Sequence, residues 1–188
     1  MAESKKRVAM CGFATNSFRD IRRYYNKGFE IWGMNQLYKL LPEALSDKNP
    51  FTRWFQIHHK ARFLNWDPVQ IEKLNQLNIP IYMTRKREDV PKSIEYPKKE
   101  ILSNPLFLEH YFTNSFAWMM ALAYIEGFQE VHLLGCDMVM DIELTEQKQS
   151  VEYFIGLFRG NGRTVVVNSA NSLLKTFYLY GYEDCDGL

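Results

Sequence analysis

Short polar side chains follow the apolar segments of this 188-residue chain, at the points where those segments end. Their amide and hydroxyl groups are of the kinds that bind ribose, base edges and sugar hydroxyls. Small residues accompany them in the same turns. The candidate ligand-binding residues are Gly12, Ala14, Thr15, Asn16, Ser17, Asn35, Thr113, Asn114, Ser115, Gly135, Asp137, Met138, Ser169 and Asn171.

Two predicted helices begin beside these residues, near Ser17 and Ser115. The first turn of a helix has unpaired backbone N–H groups, and the helix dipole favours an anion there. The stretch MCGFATNSF, residues 10–18, is therefore expected to form a loop that faces phosphate or ribose. A structural alternative stays open, because the same side chains can cap helices and turns without a ligand.

Two histidines, His58 and His59, end the third predicted strand. An imidazole can accept or release a proton near neutral pH. His58 is the candidate for proton transfer, with a solvated side chain as the alternative. His132 alternates within an apolar strand, which favours a hydrogen-bonded core residue.

Strand-like segments alternate with helical ones along the chain, which indicates a parallel sheet with helices on both faces. Several strand segments are apolar without alternation, as expected when both sides of a sheet are covered. The predicted fold class is α/β, a three-layer, Rossmann-like, doubly wound and mostly parallel sheet of about six strands. The strands are predicted at 8–11, 29–33, 54–58, 79–83, 130–135 and 164–168, and the helices at 17–25, 36–45, 67–77, 115–126, 150–159 and 173–180.

Such a sheet brings the loops at the carboxyl ends of its strands to one edge, where ligands bind. The length predicts a single nucleotide-binding-like domain over residues 1–188. Residues 84–105, with mixed charges and three prolines, are expected to be an irregular surface excursion. Pro80 suggests an edge position for its strand. Residues 183–188 are expected to be a flexible acidic tail.

The composition excludes several classes of protein. A formal net charge of +1 argues against sequence-independent nucleic-acid binding. The longest apolar run, 116–125, is about half the length that crosses a bilayer, so no membrane association is expected. Three cysteines without paired or metal-like spacing, and no evident leader, predict a cytoplasmic protein.

Familiar catalytic motifs are missing from the sequence. It has no phosphate-binding loop of the kinase type, no nucleophile elbow and no three-glycine dinucleotide turn. It also lacks His-Glu-x-x-His, Cys-x-x-Cys and clustered carboxylates, so no metal site and no cofactor are expected. A nucleotide or nucleotide sugar is the expected ligand.

Taken in order, five motifs resemble the bacterial sialyltransferases that use a cytidine-monophosphate sugar donor, and the wider nucleotide-sugar-binding group with their fold. The chain resembles short phage-encoded proteins of unassigned activity still more closely in length and motif order. The resemblance covers most of the chain. The motifs are CGFATNS, GMNQLY, FTNSFAWMMALAYIEGF, HLLGCDM and ANSLL.

The resemblance implies roles for the candidate residues. The loop 12–17 and Asn35 would meet the nucleotide, and 113–115 with 135–138 would meet donor sugar and phosphate. Ser169 and Asn171 would close the pocket. The family's histidine base follows Gly-x-Asp, but this chain has no histidine after His132.

The missing histidine leaves other groups for proton transfer. Glu143, Glu146, Glu152 and Tyr153 lie in the matching segment, and a glutamate base would need burial to raise its pKa. With His58, the candidate catalytic residues are Glu152 and Asp137. The family's acceptor-binding insertions are absent. The resemblance therefore supports nucleotide binding by this chain better than it supports sugar transfer.

Three functions follow from this sequence. The first is a metal-independent, glycosyltransferase-like protein that binds a nucleotide or nucleotide sugar. The second is a non-catalytic binder that sequesters a small signalling nucleotide during phage infection. The third is a hydrolase of a nucleotide or an N-glycosidic bond, with Glu152 or Asp137 activating water. Homo-oligomer formation stays open.

Overall fold

The computed structural model describes residues 5–14, 17–138, 142–168, 171–176 and 180–181. Three of the predicted site residues, Thr15, Asn16 and Ser169, lie outside the described residues, as does the predicted tail 183–188.

Seven parallel strands form a single sheet in the described part of the chain, one more than the predicted number. Their spatial order is β5-β4-β3-β2-β1-β6-β7. The sheet confirms the predicted doubly wound α/β fold. The strands are β1 Arg7–Cys11, β2 Glu30–Met34, β3 Arg53–Gln56, β4 Ile81–Met83, β5 Ser93–Glu95, β6 Glu130–Leu134 and β7 Thr164–Val167.

The additional strand, β5, lies within the predicted irregular segment 84–105. It pairs with β4 from Ile81 to Met83, so β4 is an internal strand and its predicted edge position is wrong. Pro80 is tolerated because it precedes the strand. Its carbonyl still accepts a bond from the Trp54 N–H at 2.9 Å.

Five α-helices are present among the described residues, and four short 3₁₀ segments accompany them. Some segments that were predicted as α-helices are 3₁₀ helices in the structure. The predicted helix 17–25 is one of them: it buries Phe18 and Ile21, which are three residues apart and therefore lie on one face of a 3₁₀ helix. The helices are α1 Lys60–Trp66, α2 Gln70–Gln76, α3 Lys98–Leu102, α4 Ser115–Ile125 and α5 Ile142–Gly160, and the 3₁₀ segments are Phe18–Tyr24, Leu37–Lys39, Pro42–Leu45 and Pro105–Phe107.

The predicted terminal helix 173–180 is not formed in its described part. Leu174 has a φ of 56°, in the left-handed region that an α-helix cannot include. Residues 177–179 lie outside the described part of the chain.

Helix α4 is buried, as its uniformly apolar sequence predicts. Gly127, with a φ of 81°, ends it. The Gly127 N–H donates to Tyr124 O at 3.1 Å, and the Phe128 N–H donates to Ala123 O at 2.9 Å. These two bonds form a Schellman cap, which turns the chain directly into β6.

The sheet separates two apolar layers, since alternate strand residues face opposite sides. Val8 and Met10 pack in one layer with α3, α4 and α5. Ala9 and Cys11 pack in the other with Phe18–Tyr24, α1 and α2. Both faces of the sheet are therefore covered, which explains the apolar strands.

Strand β1 is the point at which the direction of the chain connections across the sheet reverses. The chain winds from β1 to β5 on one side and then returns to β6 on the other side of β1. The connections therefore diverge at the carboxyl ends of β1 and β6. Such a switch point opens a crevice in an α/β sheet.

Candidate functional site

A cleft of about 320 Å³ lies at this switch point. It is formed by the loops after β1, β2, β3 and β6, by the start of α4 and by one residue each of α1 and α5. The size falls in the range of small-molecule sites. The lining residues are Gly12, Phe13, Ala14, Met34, Asn35, Ile57, His58, Arg62, Phe112, Thr113, Asn114, Ser115, Phe116, Trp118, Gly135, Cys136, Asp137, Met138 and Gln147.

Two glycines let the loops after β1 and β6 lie against each other at the cleft. A Cβ on Gly12 would lie 2.6 Å from Gly135 O, and a Cβ on Gly135 would lie 2.5 Å from Gly12 O. The Gly12 N–H donates to Leu134 O at 2.9 Å, and the Ala14 N–H donates to Gly135 O at 3.0 Å. The loops after β1 and β6 are thus joined at a distance that a side chain would prevent.

The N-terminus of α4 opens into the cleft. Asn114 caps it, because its Oδ1 accepts from the Ala117 N–H at 2.9 Å. The Asn114 Nδ2 donates to Gln147 O of α5 at 2.9 Å, and Thr113 Oγ1 donates to Glu146 O at 3.4 Å. The backbone N–H groups of the first turn have no partner within the helix, and the helix dipole adds positive potential there.

Asn35 occupies a strained position after β2, with a φ of 50°. Its backbone is fixed by two bonds, since its N–H donates to Phe55 O at 2.8 Å and its carbonyl accepts from Trp54 Nε1 at 3.1 Å. The side chain lines the cleft and is buried, yet its Oδ1 has no hydrogen-bond partner among the described residues. Buried polar atoms are normally paired, so this oxygen is suited to accept a bond from a ligand.

His58 is held by its own strand. Its Nδ1 lies 3.0 Å from Gln56 Oε1, and its backbone N–H donates to the same oxygen at 3.3 Å. The Trp66 ring packs edge-on against the imidazole, with centroids 4.8 Å apart. The imidazole therefore has a defined orientation at the cleft.

Two ionised side chains line the cleft among the described residues. Arg62 on α1 lies over the Trp66 ring, 5.0 Å from its centroid. Asp137 Oδ1 accepts from the Ser172 N–H at 3.3 Å, which ties the loop after β6 to the C-terminal segment. The cleft thus combines one cation, one carboxylate and one helix N-terminus.

Cys136 also lines the cleft, but it is an unsuitable nucleophile. Burial raises the pKa of its thiol well above the ordinary value, and the nearby Asp137 charge adds to this effect. A thiol without thiolate character is unreactive.

Most of the described candidate residues line this cleft: Gly12, Ala14, Asn35, His58, Thr113, Asn114, Ser115, Gly135, Asp137 and Met138.

Three candidates lie elsewhere. Ser17 is buried beneath the loop after β6, where its Oγ accepts from the Gly135 N–H at 2.8 Å. Asn171 is buried, and its Oδ1 accepts from the Leu173 N–H at 3.0 Å. Glu152 on α5 accepts from the Leu174 N–H at 2.7 Å through Oε1. All three support the cleft or the C-terminal segment rather than line the cleft.

Sequence reasoning missed several lining residues. Arg62 lies on α1, a helix that was not predicted, although His59 could have indicated its start, since its Nδ1 accepts from the Ala61 N–H at 3.4 Å. The aromatic wall formed by Phe112 and Trp118, whose stacked rings have centroids 3.9 Å apart, was not predicted. No sequence signal distinguishes an aromatic residue that faces a cleft from one that faces the core.

The described residues contain no group of three or more His, Cys, Asp or Glu side chains arranged to hold a metal ion. In the same part of the chain, no helix has both the length and the apolar character of a membrane span.

The comparison with solved structures found a match of low sequence identity. The chain is similar to the sialyltransferase CstII from Campylobacter jejuni, which was solved in complex with the substrate analogue cytidine-5'-monophosphate. The identity is 14% and the TM-score 0.48, over 95% of this chain and 93% of that one. No protein-family model matches the chain, and no curated protein sequence matches it significantly.

Proposed function

We propose that this chain binds a nucleotide or nucleotide sugar in the cleft and acts as a glycosyltransferase-like protein. The observation that carries the proposal is a cleft at the β1–β6 switch point, into which the start of α4 opens. The cleft is also lined by Asn35, whose buried Oδ1 has no hydrogen-bond partner among the described residues. The ordered motifs that resemble the sialyltransferases agree with it.

The phosphate would lie at the N-terminus of α4. Asn114 uses the Ala117 N–H for its cap, which leaves the amides of Ser115 and Phe116 for an anion. The Arg62 guanidinium lines the same cleft and supplies a second positive group.

The nucleoside would lie between Asn35 and the aromatic wall. The Asn35 Oδ1 would accept a bond from an amino or hydroxyl group of the nucleoside. Phe112 and Trp118 offer apolar and aromatic surface for a planar base. A volume of about 320 Å³ accommodates a mononucleotide, with an attached sugar extending toward the open side.

His58 would move the proton in a transfer reaction. Its imidazole takes the proton of an acceptor hydroxyl, and that oxygen attacks the anomeric carbon of the donor sugar. The bond from the anomeric carbon to the phosphate oxygen breaks, and the nucleotide leaves with the bonding electrons. The helix N-terminus stabilises the negative charge on the departing phosphate.

The test is a thermal-shift and calorimetric screen against nucleoside mono-, di- and cyclic phosphates and nucleotide sugars, with cytidine-5'-monophosphate as one probe. A bound ligand raises Tm by an amount that its affinity sets. Asn35→Gly keeps a residue that tolerates the φ of 50° but removes the Oδ1. Loss of one hydrogen bond should weaken binding about tenfold.

Asn78→Gly is the matched control, since Asn78 has a φ of 51° and lies exposed after α2. It should leave binding unchanged. If no nucleotide raises Tm, or if both variants bind like the unaltered protein, the proposal is wrong.

A non-catalytic binder is the second candidate, and the position of Glu152 favours it. This predicted base accepts a bond from the Leu174 N–H and does not line the cleft. A binder would sequester a small nucleotide, as suits the resemblance to short phage-encoded proteins. Recovery of the ligand intact after prolonged incubation, with and without sugar acceptors, supports the binder. Release of free nucleotide supports the transferase or, where water is the acceptor, a hydrolase.

A further inference from the structure

We infer that Gln56 is a positioning residue that fixes the tautomer of His58, so that Nδ1 carries the proton and Nε2 is the basic nitrogen. The inference deepens the proposed function and rests on it for its catalytic meaning, since it specifies which atom of His58 would take the proton.

Gln56 is an unusual core residue. It is the last residue of β3 and has no exposed surface, although it lies within a central part of the sheet. Its Oε1 contacts both the backbone N–H and the Nδ1 of His58, two residues further along. Its Nε2 has no hydrogen-bond partner among the described residues. An apolar side chain would avoid that unsatisfied donor, so packing alone does not explain a glutamine here.

The orientation of the Gln56 amide follows from its partners. The backbone N–H of His58 can only donate, so the atom that faces it at 3.3 Å must be the acceptor oxygen. The same oxygen lies 3.0 Å from His58 Nδ1. Because an amide oxygen cannot donate, Nδ1 must carry the proton. In the neutral ring, the lone pair is then on Nε2.

An amide holds the ring without adding a charge. A carboxylate in the place of Gln56 would orient the ring equally well, but it would also stabilise the imidazolium. A neutral imidazole is the form that can accept a proton. The edge-on Trp66 ring provides a second restraint, from helix α1.

Among the described residues that line the cleft with His58, two other elements provide charged groups. Arg62 on α1 and Asp137 after β6 line the same cleft, and His59 is the next residue. These groups are unchanged in Gln56 variants, so a difference between variants reports on Gln56.

The first measurement uses the unaltered protein without ligand. Two-dimensional NMR correlations between the ring nitrogens and ring protons identify the tautomer of each histidine. We expect His58 to show a protonated Nδ1 and an unprotonated Nε2 above the titration midpoint. A protonated Nε2 in the neutral ring would overturn the inference.

The second measurement uses Gln56→Glu, which places a carboxylate on the Nδ1 proton. The midpoint of the His58 NMR titration should move to higher pH. Gln70→Glu is the matched control, because Gln70 is also fully buried and its Nε2 also lacks a partner among the described residues, but its Oε1 accepts from Gln36. That variant should leave the His58 midpoint unchanged. Equal shifts in both variants would contradict a specific contact.

Failure of this inference can be distinguished from failure of the proposed function. Both NMR measurements need no nucleotide, whereas the proposed function depends on nucleotide binding. Where turnover is found, Gln56→Met should lower kcat by about tenfold with little change in KM, since positioning a base contributes to the reaction step. If a variant does not fold, the NMR measurement of the His58 tautomer in the unaltered protein still tests the inference.

Discussion

At the scale of single residues, Gly135 provides the sharpest steric test of the cleft. Its φ is 59°, and a Cβ would lie 2.5 Å from Gly12 O and 3.0 Å from Phe18 Cβ. Gly135→Ala should therefore combine backbone strain with overpacking and lower the free energy of unfolding by about 3 kcal/mol. Urea unfolding measures the loss, and ligand binding should weaken because the loops after β1 and β6 must separate.

Gly162→Ala separates the two effects. Gly162 has a φ of 73°, but no atom of the described residues beyond its chain neighbours lies within 4 Å of its added Cβ. Only the backbone strain remains, so the loss should be about 1 kcal/mol. Equal losses in the two variants would show that the Gly12–Gly135 contact has no steric effect.

For single residues, the sequence predicts which loops are polar but not which way each side chain points. The polar character of the loops after the strands was predicted, and Asn35 and Asn114 line the cleft. Ser17 belongs to the same loop by sequence, but its hydroxyl turns inward to the Gly135 N–H. The direction of a short side chain depends on backbone angles within a turn, which composition does not determine.

At the scale of elements, the cap of α4 links stability to binding. Asn114 Oδ1 accepts from Ala117 N–H, and Nδ2 donates to Gln147 O. Asn114→Ala removes both bonds and should lower the free energy of unfolding by about 2 kcal/mol. Asn114→Asp keeps the cap acceptor and should retain more of that stability, but its negative charge opposes a phosphate. We expect the Asp variant to bind nucleotide more weakly than the Ala variant, as calorimetry would measure.

Asn104 offers the matching control for this experiment. Its Oδ1 caps the 3₁₀ segment Pro105–Phe107 by accepting from the Leu106 N–H at 2.9 Å, and it does not line the cleft. Asn104→Asp should leave nucleotide affinity unchanged. If Asn114→Asp binds nucleotide as well as the unaltered protein, no phosphate lies at the start of α4.

The sequence predicts a helix or strand correctly where its apolar pattern is long. Helix α4 and Gly127 were predicted because an eleven-residue apolar helix with a glycine after it has few alternatives. Strand β5 was missed because it has three residues, of which only Ser93 is buried. Such a strand is stabilised by its pairing with β4 and not by its own sequence.

At the scale of the whole molecule, the order of the strands in the sheet could not be predicted from the sequence. Alternating helices and strands indicate a parallel sheet, but they do not show that β6 returns to pair with β1. That single pairing creates the switch point and brings Gly135 to Gly12. The candidate site was predictable as a set of loops, whereas its closed geometry depends on long-range pairing.

Acid should destabilise the folded chain through carboxylates whose pKa values are lowered on folding. Hydrogen bonds from Arg87 and Lys60 lower the pKa of Asp89 from 3.8 to about 2. Burial of Asp67 opposes its charge, but hydrogen bonds from Tyr38 and Lys39 lower the pKa of that carboxyl as well. A pKa that falls on folding gives stability that is present above the unfolded value and lost as pH falls through the folded one. The loss should therefore occur between about pH 4 and pH 2.

Asp89→Asn tests this linkage, because it removes the charge that joins α1 to the turn before β5. At pH 7 it should lower the free energy of unfolding by about 1 kcal/mol, a value reduced for screening because the side chain is 34% exposed. The difference from the unaltered protein should shrink as pH falls from 4 to 2, because Asp89 is protonated in the unfolded chain over this range and half protonated in the folded chain at about pH 2. Asp47→Asn, at an exposed position without a salt bridge among the described residues, is the control for urea unfolding across this range. A difference that stays constant from pH 7 to pH 2 would show that Asp89 does not contribute through its charge.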